Sequence, residues 1–251
     1  MSRRFQRIKN TKHRTIRGYH NTLEEDGYEL LTTTGPAVPT LPTAVGTLSV
    51  VSSSASDTSG ATKKVVIDYL DTNWAEKRAV FLINGTTAVT ADEDAATISA
   101  IRVNRVWCTF ANIGRIDVKI ASTTLHEVPI GQQTSGTFMY TVPVGQVAHI
   151  HGFRVSASQL TDLRIRAHYH GEQQTFRTLW TWTGSGSLYV PLTQGYPRRV
   201  QVQDIDDAWS DTKITLIADA NCLTASVTDY VTLEMDLEIS RTDTTSPGFR
   251  T

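Results

Sequence analysis

Residues 229–240 read "DYVTLEMDLEIS". Val231, Leu233, Met235, Leu237 and Ile239 take every second position, with polar side chains between them. A period of two places successive side chains on opposite faces of an extended chain, so this stretch is a strand with one face in a core and the other in water. "RIDVKIAS", residues 115–122, repeats the pattern, with Ile116, Val118 and Ile120 alternating with Asp117 and Lys119. By contrast "KKVVIDYL" (63–70) and "RAVFLI" (78–83) are continuous apolar runs, expected to lie deeper or beneath a neighbouring subunit.

Outward from this strand the same grammar recurs. From Leu48 onward, runs such as "TLSVVSS", "ISAIRVNRVWCTFA", "GTFMYTVPVG", "QVAHIHGFRVSAS", "LRIRAHYHG", "FRTLWTWTG" and "KITLIADAN" are rich in Val, Ile, Thr and aromatics and are broken by Gly, Pro, Asn and Asp. The one helical candidate is a turn near "ADEDAAT", residues 91–97. Without alternating helices there are no βαβ units, so the expected fold is all-β: an antiparallel β-sandwich, jelly-roll-like, with an extended N-terminal arm. Residues 34–47, "TGPAVPTLPTAVGT", hold three prolines and read as an extended linker. The expected division is therefore a basic arm and Pro-containing linker over 1–45, a β body over 46–241, and a C-terminal tail over 242–251. The body is read either as one sandwich or as two packed β subdomains divided near 170–178. "ING", residues 83–85, carries the Asn-Gly signal of a tight hairpin turn.

A chain of 251 residues with 39% hydrophobic content can bury a full core. No apolar run reaches membrane-spanning length, and the amino terminus lacks the apolar core of a secretory signal, so a soluble protein without membrane contact is expected. Cys108 and Cys222 match no metal spacing and read as buried reduced thiols. Charge is distributed unevenly. Arg3, Arg4, Arg7, Lys9, Lys12, Arg14 and Arg17 precede any acid, which leaves 17 basic residues against 25 acidic ones, a net charge of −8, in the rest of the chain. These seven residues are the candidate partner-binding set, able to meet an acidic neighbouring subunit or nucleic acid. An arm of Ser, Arg and Thr has too little apolar surface to order itself, which points to an assembly.

Candidate chemistry is sparse. "SDTSG" at 56–60 looks like an aspartic-protease loop around Asp57, but Thr58 and Ser59 both intervene before Gly60 and no second copy exists. Asp57 is read instead as the acceptor of its own turn, with Asn84-Gly85 closing the hairpin that follows. His149 and His151 ("HIH") and His168 and His170 ("HYH") could each present two imidazoles on one strand face. The Gly and His-x-His spacing resembles a cupin, yet Arg154 to Ala157 stand where that fold places its glutamate. Asp204, Asp206, Asp207 and Asp211 lack the glycine and later glutamate of an EF-hand calcium loop. Trp180 and Trp182 share a strand face and could stack on sugars or bases, or belong to a core. No nucleophile elbow, phosphate-binding loop or His-Glu-x-x-His helix occurs. The expectation is a non-enzymatic protein with no catalytic residue, no cofactor and no resident metal.

Residues 48–90 carry Ser53, Ser54, Asp57, Thr58 and Gly60, then Val65 to Ile67, then Leu70, Asp71, Asn73 and Trp74, then Ile83, Asn84, Gly85, Thr86 and Thr87. This string resembles a pattern in structural proteins of tailed bacteriophages, particularly marine and cyanobacterial ones. "NIG" at 112–114 and "YTVPVGQVAHI" at 140–150 resemble later elements of the same proteins, so the likeness spans about residues 46–155. That pattern usually has Gly-x-Gly after the Asp-Thr, whereas Ser59, Gly60 and Ala61 supply one glycine. The resemblance implies a virion protein, capsid- or tail-associated, that binds neighbours through its β body and basic arm. Implied partners are further copies of itself, a trimer foremost, and other virion proteins such as the major capsid or head–tail proteins, with nucleic acid as a further contact of the arm. Head decoration, head fibre, neck and tail positions are all compatible. A receptor- or glycan-binding fibre domain is the alternative, followed by a cupin-like metal enzyme.

Overall fold

A computed structural model describes residues 12–20, 23, 28–31, 41–58, 62–170, 175–191, 198–201, 213–223 and 230–241. Its strands are β1 (Lys12–His20), β2 (Glu29–Leu30), β3 (Gly46–Ser52), β4 (Lys64–Leu70), β5 (Glu76–Leu82), β6 (Ser99–Ala100), β7 (Arg102–Cys108), β8 (Ile116–Ile120), β9 (Thr123–Val128), β10 (Met139–Thr141), β11 (Gln146–His170), β12 (Thr175–Pro191), β13 (Arg198–Gln201), β14 (Lys213–Cys222) and β15 (Val231–Arg241). All pairings between named strands are antiparallel, and the fold is a jelly-roll-like β-sandwich. Residues 91–97 form no helix. Ala91 pairs with Thr97, and Asp92 Oδ1 caps the turn between them by accepting from the N–H groups of Asp94 and Ala96.

The apolar side chains divide into two main cores. One gathers residues between Leu48 and Val128, and the other gathers Ile16, Leu23 and Leu31 with residues between Phe138 and Ile239. The chain thus begins in a large module, builds a small one over β3–β9, and returns at β10. The boundary between the two lies at 129–137, not near 170–178. There β11 and β12 are paired neighbours in one sheet (Tyr169 opposite Thr175), so the turn signals around Gly171 mark a reversal within one core.

In the small module, β6-β3-β8-β9 faces β5-β4-β7. The continuous run in β4 is buried from Val65 to Leu70 because β4 lies between β5 and β7. The run at 78–83 buries only Ala79, Phe81 and Ile83, every second residue, since this edge strand presents one face to the core. The β4–β5 hairpin is closed by Asp71, whose Oδ1 accepts from Asn73 N and Ala75 N at 2.8 and 3.0 Å, and not by Asn84-Gly85. Asn84-Gly85 instead turns the chain out of β5, with Gly85 left-handed at φ 56°.

In the large module the sheet order is β1-β15-β11-β14-β10, with β12 and β13 on the other edge of β11. β15 and β14 lie end to end along β11, opposite residues 146–157 and 161–170. What reads as two strands, "QVAHIHGFRVSAS" and "LRIRAHYHG", is therefore one 25-residue strand that changes partner near Ser158–Leu160. Its inward set is Ala148 and Ile150, then Phe153, Val155 and Ala157, then Leu163, Ile165 and Ala167. The register shift between Ile150 and Gly152 inserts His151 as an extra residue, and this moves the buried set from even to odd positions.

The sheet curls until its ends approach. Tyr19 N donates to Gly136 O, Phe138 N to Leu31 O and Leu31 N to Ala218 O, all at 2.8–2.9 Å. Gly18 permits this closure, because a Cβ there would sit 2.4 Å from Phe138 Cβ and 2.8 Å from Leu31 Cβ. The expectation of an arm over 1–45 is corrected for residues 12–20. They are β1, paired with β15 from Lys12–Ile239 to His20–Val231, with Ile16 and His20 buried. The few apolar side chains there suffice because β15 supplies the other half of the packing.

Candidate interaction site at the module junction

The two modules meet through polar groups. Asn104 on β7 holds the backbone of Thr141 on β10 like a strand partner. Its Nδ2 donates to Thr141 O and its Oδ1 accepts from Thr141 N, both at 2.8 Å. The Thr141 hydroxyl then meets Thr215 at 2.7 Å. His126 on β9 is buried, with Nε2 2.9 Å from Val103 O and Nδ1 2.9 Å from Ser135 Oγ. A carbonyl only accepts, so Nε2 carries the proton and Nδ1 accepts from the serine. Burial pushes the His126 pKa down to about 4, against the opposing effect of the Val103 carbonyl.

Basic residues of β1 lie against acids of the small module. Lys12 Nζ is 3.1 Å from Glu76 Oε2, and an Arg14 nitrogen is 3.3 Å from the same oxygen and 3.8 Å from Asp68. Arg78 completes the group with Nε 2.8 Å from Asp68. Arg17 pairs with Glu234 at 2.9 Å. Of the seven basic residues assigned to partner binding, Lys12, Arg14 and Arg17 are therefore engaged within the chain, because β1 lays the basic segment across an acidic body. Arg3, Arg4, Arg7 and Lys9 lie outside the described residues. Between β1 and the small module remains a cavity of about 300 Å³, lined among others by Arg14, Glu76, Arg105, His126 and Tyr140.

Asp57 is a structural carboxylate, fully buried. It accepts from Ser52 Oγ at 2.6 Å, Ile113 N at 2.9 Å and Gly114 N at 2.8 Å, so one partner stands at the end of β3 just before its turn and two sit on a distant loop. Burial alone would raise its pKa, but the serine hydroxyl and the two backbone N–H groups outweigh that and hold it below the usual value. Asn112 adds Nδ2 bonds to Gly114 O at 2.7 Å and Pro129 O at 2.9 Å, and the loops so fixed expose Ile113 and Ile130.

The histidines do not converge. His151 is exposed at the bulge and lies 3.0 Å from Glu238 Oε2, with the His13 ring 6.4 Å away. His149 is half-buried, whereas His168 is buried opposite Thr215 near the other end of β11. Among the described residues no group of three His, Cys, Asp or Glu is gathered to hold a metal. The His170 side chain and Asp204, Asp206, Asp207 and Asp211 lie outside the described set. Trp180 stacks on Phe153 at 4.9 Å and Trp182 packs on the same core, both half-buried. Cys108 and Cys222 are buried thiols, and burial, aided by Asp57, pushes Cys108 up to about 12. Asp219, fully buried, is clasped by Arg164 at 2.9 and 3.2 Å and also meets Arg166.

One exposed apolar surface lies where β11 changes partner. Of nine large apolar side chains left exposed among the described residues, Leu160, Leu223 and Tyr230 stand where β11 changes partner, while Leu188 and Tyr189 lie farther along on β12. Leu223 N bonds Leu160 O, and Tyr230 N bonds Ser158 Oγ, which joins both chain ends of the β14–β15 connection to this corner. Leu188 and Tyr189 sit on β12 opposite Val155 and Arg154. Leu160 lies about 60 to 70 residues before Leu223 and Tyr230 in the chain, so only the pairing of those segments brings them together.

No protein-family model matches the chain, and no curated protein matches it. Among solved structures it is similar to that of the infectious bursal disease virus Gx strain, with 12% identity over 98% of this chain and 76% of that one and a TM-score of 0.24. The Gt strain gives 13% identity, the same coverage and a TM-score of 0.23. A VP2 subviral particle of that virus gives 11% identity, the same coverage and 0.20. At such TM-scores the likeness does not establish a common fold.

Proposed function

We propose that the protein is a structural component of a virus particle, of the tailed-phage kind that residues 46–155 resemble, acting through subunit contacts and without turnover. The observation that carries the subunit-contact reading is the exposed apolar corner of Leu160, Leu223 and Tyr230 on a body joined internally by fixed polar contacts. Clustered apolar surface of this kind marks protein–protein contact rather than catalysis. A closed homo-oligomer, a trimer foremost, uses that corner, and residues 1–11 with Arg3, Arg4, Arg7 and Lys9 reach an acidic neighbour or nucleic acid. The deletion that tests the arm ends at residue 11, because removing 12–17 would take Ile16 and most of β1 from the core. Light scattering on the full chain should give an oligomer that L160D/Y230D converts to a folded monomer. A wild-type monomer, or a variant that stays oligomeric, refutes the assignment of this face.

A further inference from the structure

The core of the large module is open along one side. β12 pairs with β11, and among the described residues nothing pairs with its other edge. Trp180, Trp182, Leu188 and Val190 stand opposite Ile165, Leu163, Val155 and Phe153, all four of which are buried. Yet the two tryptophans and Val190 are only half-buried, and Leu188 is 39% exposed. The apolar layer of the core therefore continues onto β12, where the described residues leave it partly uncovered.

An edge of this length is a template for another strand, and proteins that keep such an edge free blunt it with charges or proline. β12 carries one charged residue, Arg177, and its one proline is its last residue. The same composition selects the partner. When two copies of a strand pair antiparallel about a two-fold axis, residues of one face meet the same face of the other copy, so a charged edge would set like charges side by side. The stretch 180–190, made of Trp, Thr, Gly, Ser, Leu, Tyr and Val, carries no such penalty. Trp180, Trp182, Leu188 and Val190 of one copy would lie beside the same set of the other, and aromatic and β-branched pairs across strands are favourable. We infer that the free edge of β12, over residues 180–190, pairs antiparallel with β12 of a second copy of this chain. This rests on the reading that the protein acts through contacts between its own copies, but it uses a backbone edge and not the corner of Leu160, Leu223 and Tyr230. Pairing of two short edges is weak by itself, so it forms in concentrated protein or within an assembly.

The test uses the full chain carrying L160D/Y230D, which breaks the corner and leaves β12 intact, at high protein concentration. Thr181 is exposed on β12, and the native thiols Cys108 and Cys222 are buried, so Thr181→Cys supplies the one reactive site among the described residues. A short bis-maleimide should convert T181C to a covalent dimer. Thr72→Cys, at an exposed position between β4 and β5, should stay monomeric under the same treatment. Unchanged melting temperatures in both variants would show that the fold is intact. Amide exchange gives a second readout: alternate N–H groups of 180–190 point away from β11, and these should exchange more slowly in concentrated than in dilute protein. Linking of T181C no greater than that of T72C overturns the inference, and so does exchange along β12 that is equal at both concentrations. The two contacts fail separately. A wild-type monomer with T181C still linked refutes the corner alone, whereas an oligomer lost in L160D/Y230D with T181C unlinked refutes the β12 contact alone.

Discussion

Replacing Asp57 by Ala should destabilise the protein by about 3–5 kcal/mol, a large share of the 5–15 kcal/mol typical of a folded domain. The carboxylate accepts three hydrogen bonds, from Ser52 Oγ and from the N–H groups of Ile113 and Gly114, at 2.6–2.9 Å. Bonds to a charged acceptor contribute about 1.5–3 kcal/mol each, and a buried donor left unpaired costs about 1–3 kcal/mol. The Gly114 bond is fully buried, so its N–H cannot turn to water. Loss of the buried charge returns part of this cost, which sets the range below the full sum. Asp57→Asn should cost less, about 1–3 kcal/mol, because one amide oxygen still accepts. The sign with pH follows from the depressed carboxyl pKa: stability from Asp57 is present above the unfolded value near 3.8 and is lost as pH falls through the lower folded value. Urea unfolding followed by tryptophan fluorescence gives the magnitude, and amide exchange at Ile113 and Gly114 locates it. A loss below about 0.5 kcal/mol for the alanine variant, with exchange at both amides unchanged, would refute this role.

Two further outcomes follow from buried charge. His126 is neutral in the fold with a pKa of about 4, against an ordinary value of 6.5, so the unfolded chain takes up the proton first. Stability should be unaffected above pH 6.5 and decline between 6.5 and 4 by roughly 3 kcal/mol at about 1.4 kcal/mol per pH unit, a decline that His126→Gln should lack; equal pH profiles for both would contradict it. Asp219→Ala should cost about 3–5 kcal/mol by leaving Arg164 and Arg166 together without their carboxylate, and a urea midpoint equal to wild type would show that the pair is idle.

The junction shows why the small module is placed where it is. Asn104 replaces a missing strand partner for Thr141, and Lys12 and Arg14 reach from β1 to β4 and β5. A segment inserted between β2 and β10 is thus tied to β10 and to β1 of the large module. The space left between these ties is the cavity that Glu76 and Tyr140 line.

The sequence by itself determined the strands that bury a regular face. The alternation in Val231–Ile239 and Ile116–Ile120 needs only the period of the extended chain, and those side chains are the buried ones. It also marked Asp57 as a hydrogen-bond acceptor, but placed its donors in its own turn. Partners were not legible, because they come from distant chain: Asp57 bonds Ile113 across 56 residues, and Lys12 bonds Glu76 across 64. β1 was hidden because basic residues mask a strand whose apolar half comes from β15, and β9 because His126 and Glu127 are buried by hydrogen bonds rather than by apolar character. The bulge at His151 moves the buried set of β11 from even to odd positions, and pairing with β15 fixes that shift. The division at 129–137, the apolar corner and the cavity were likewise set by which strands met. Periodicity is a property of neighbours in sequence, whereas cores, junctions and cavities are made by contacts between residues far apart along the chain.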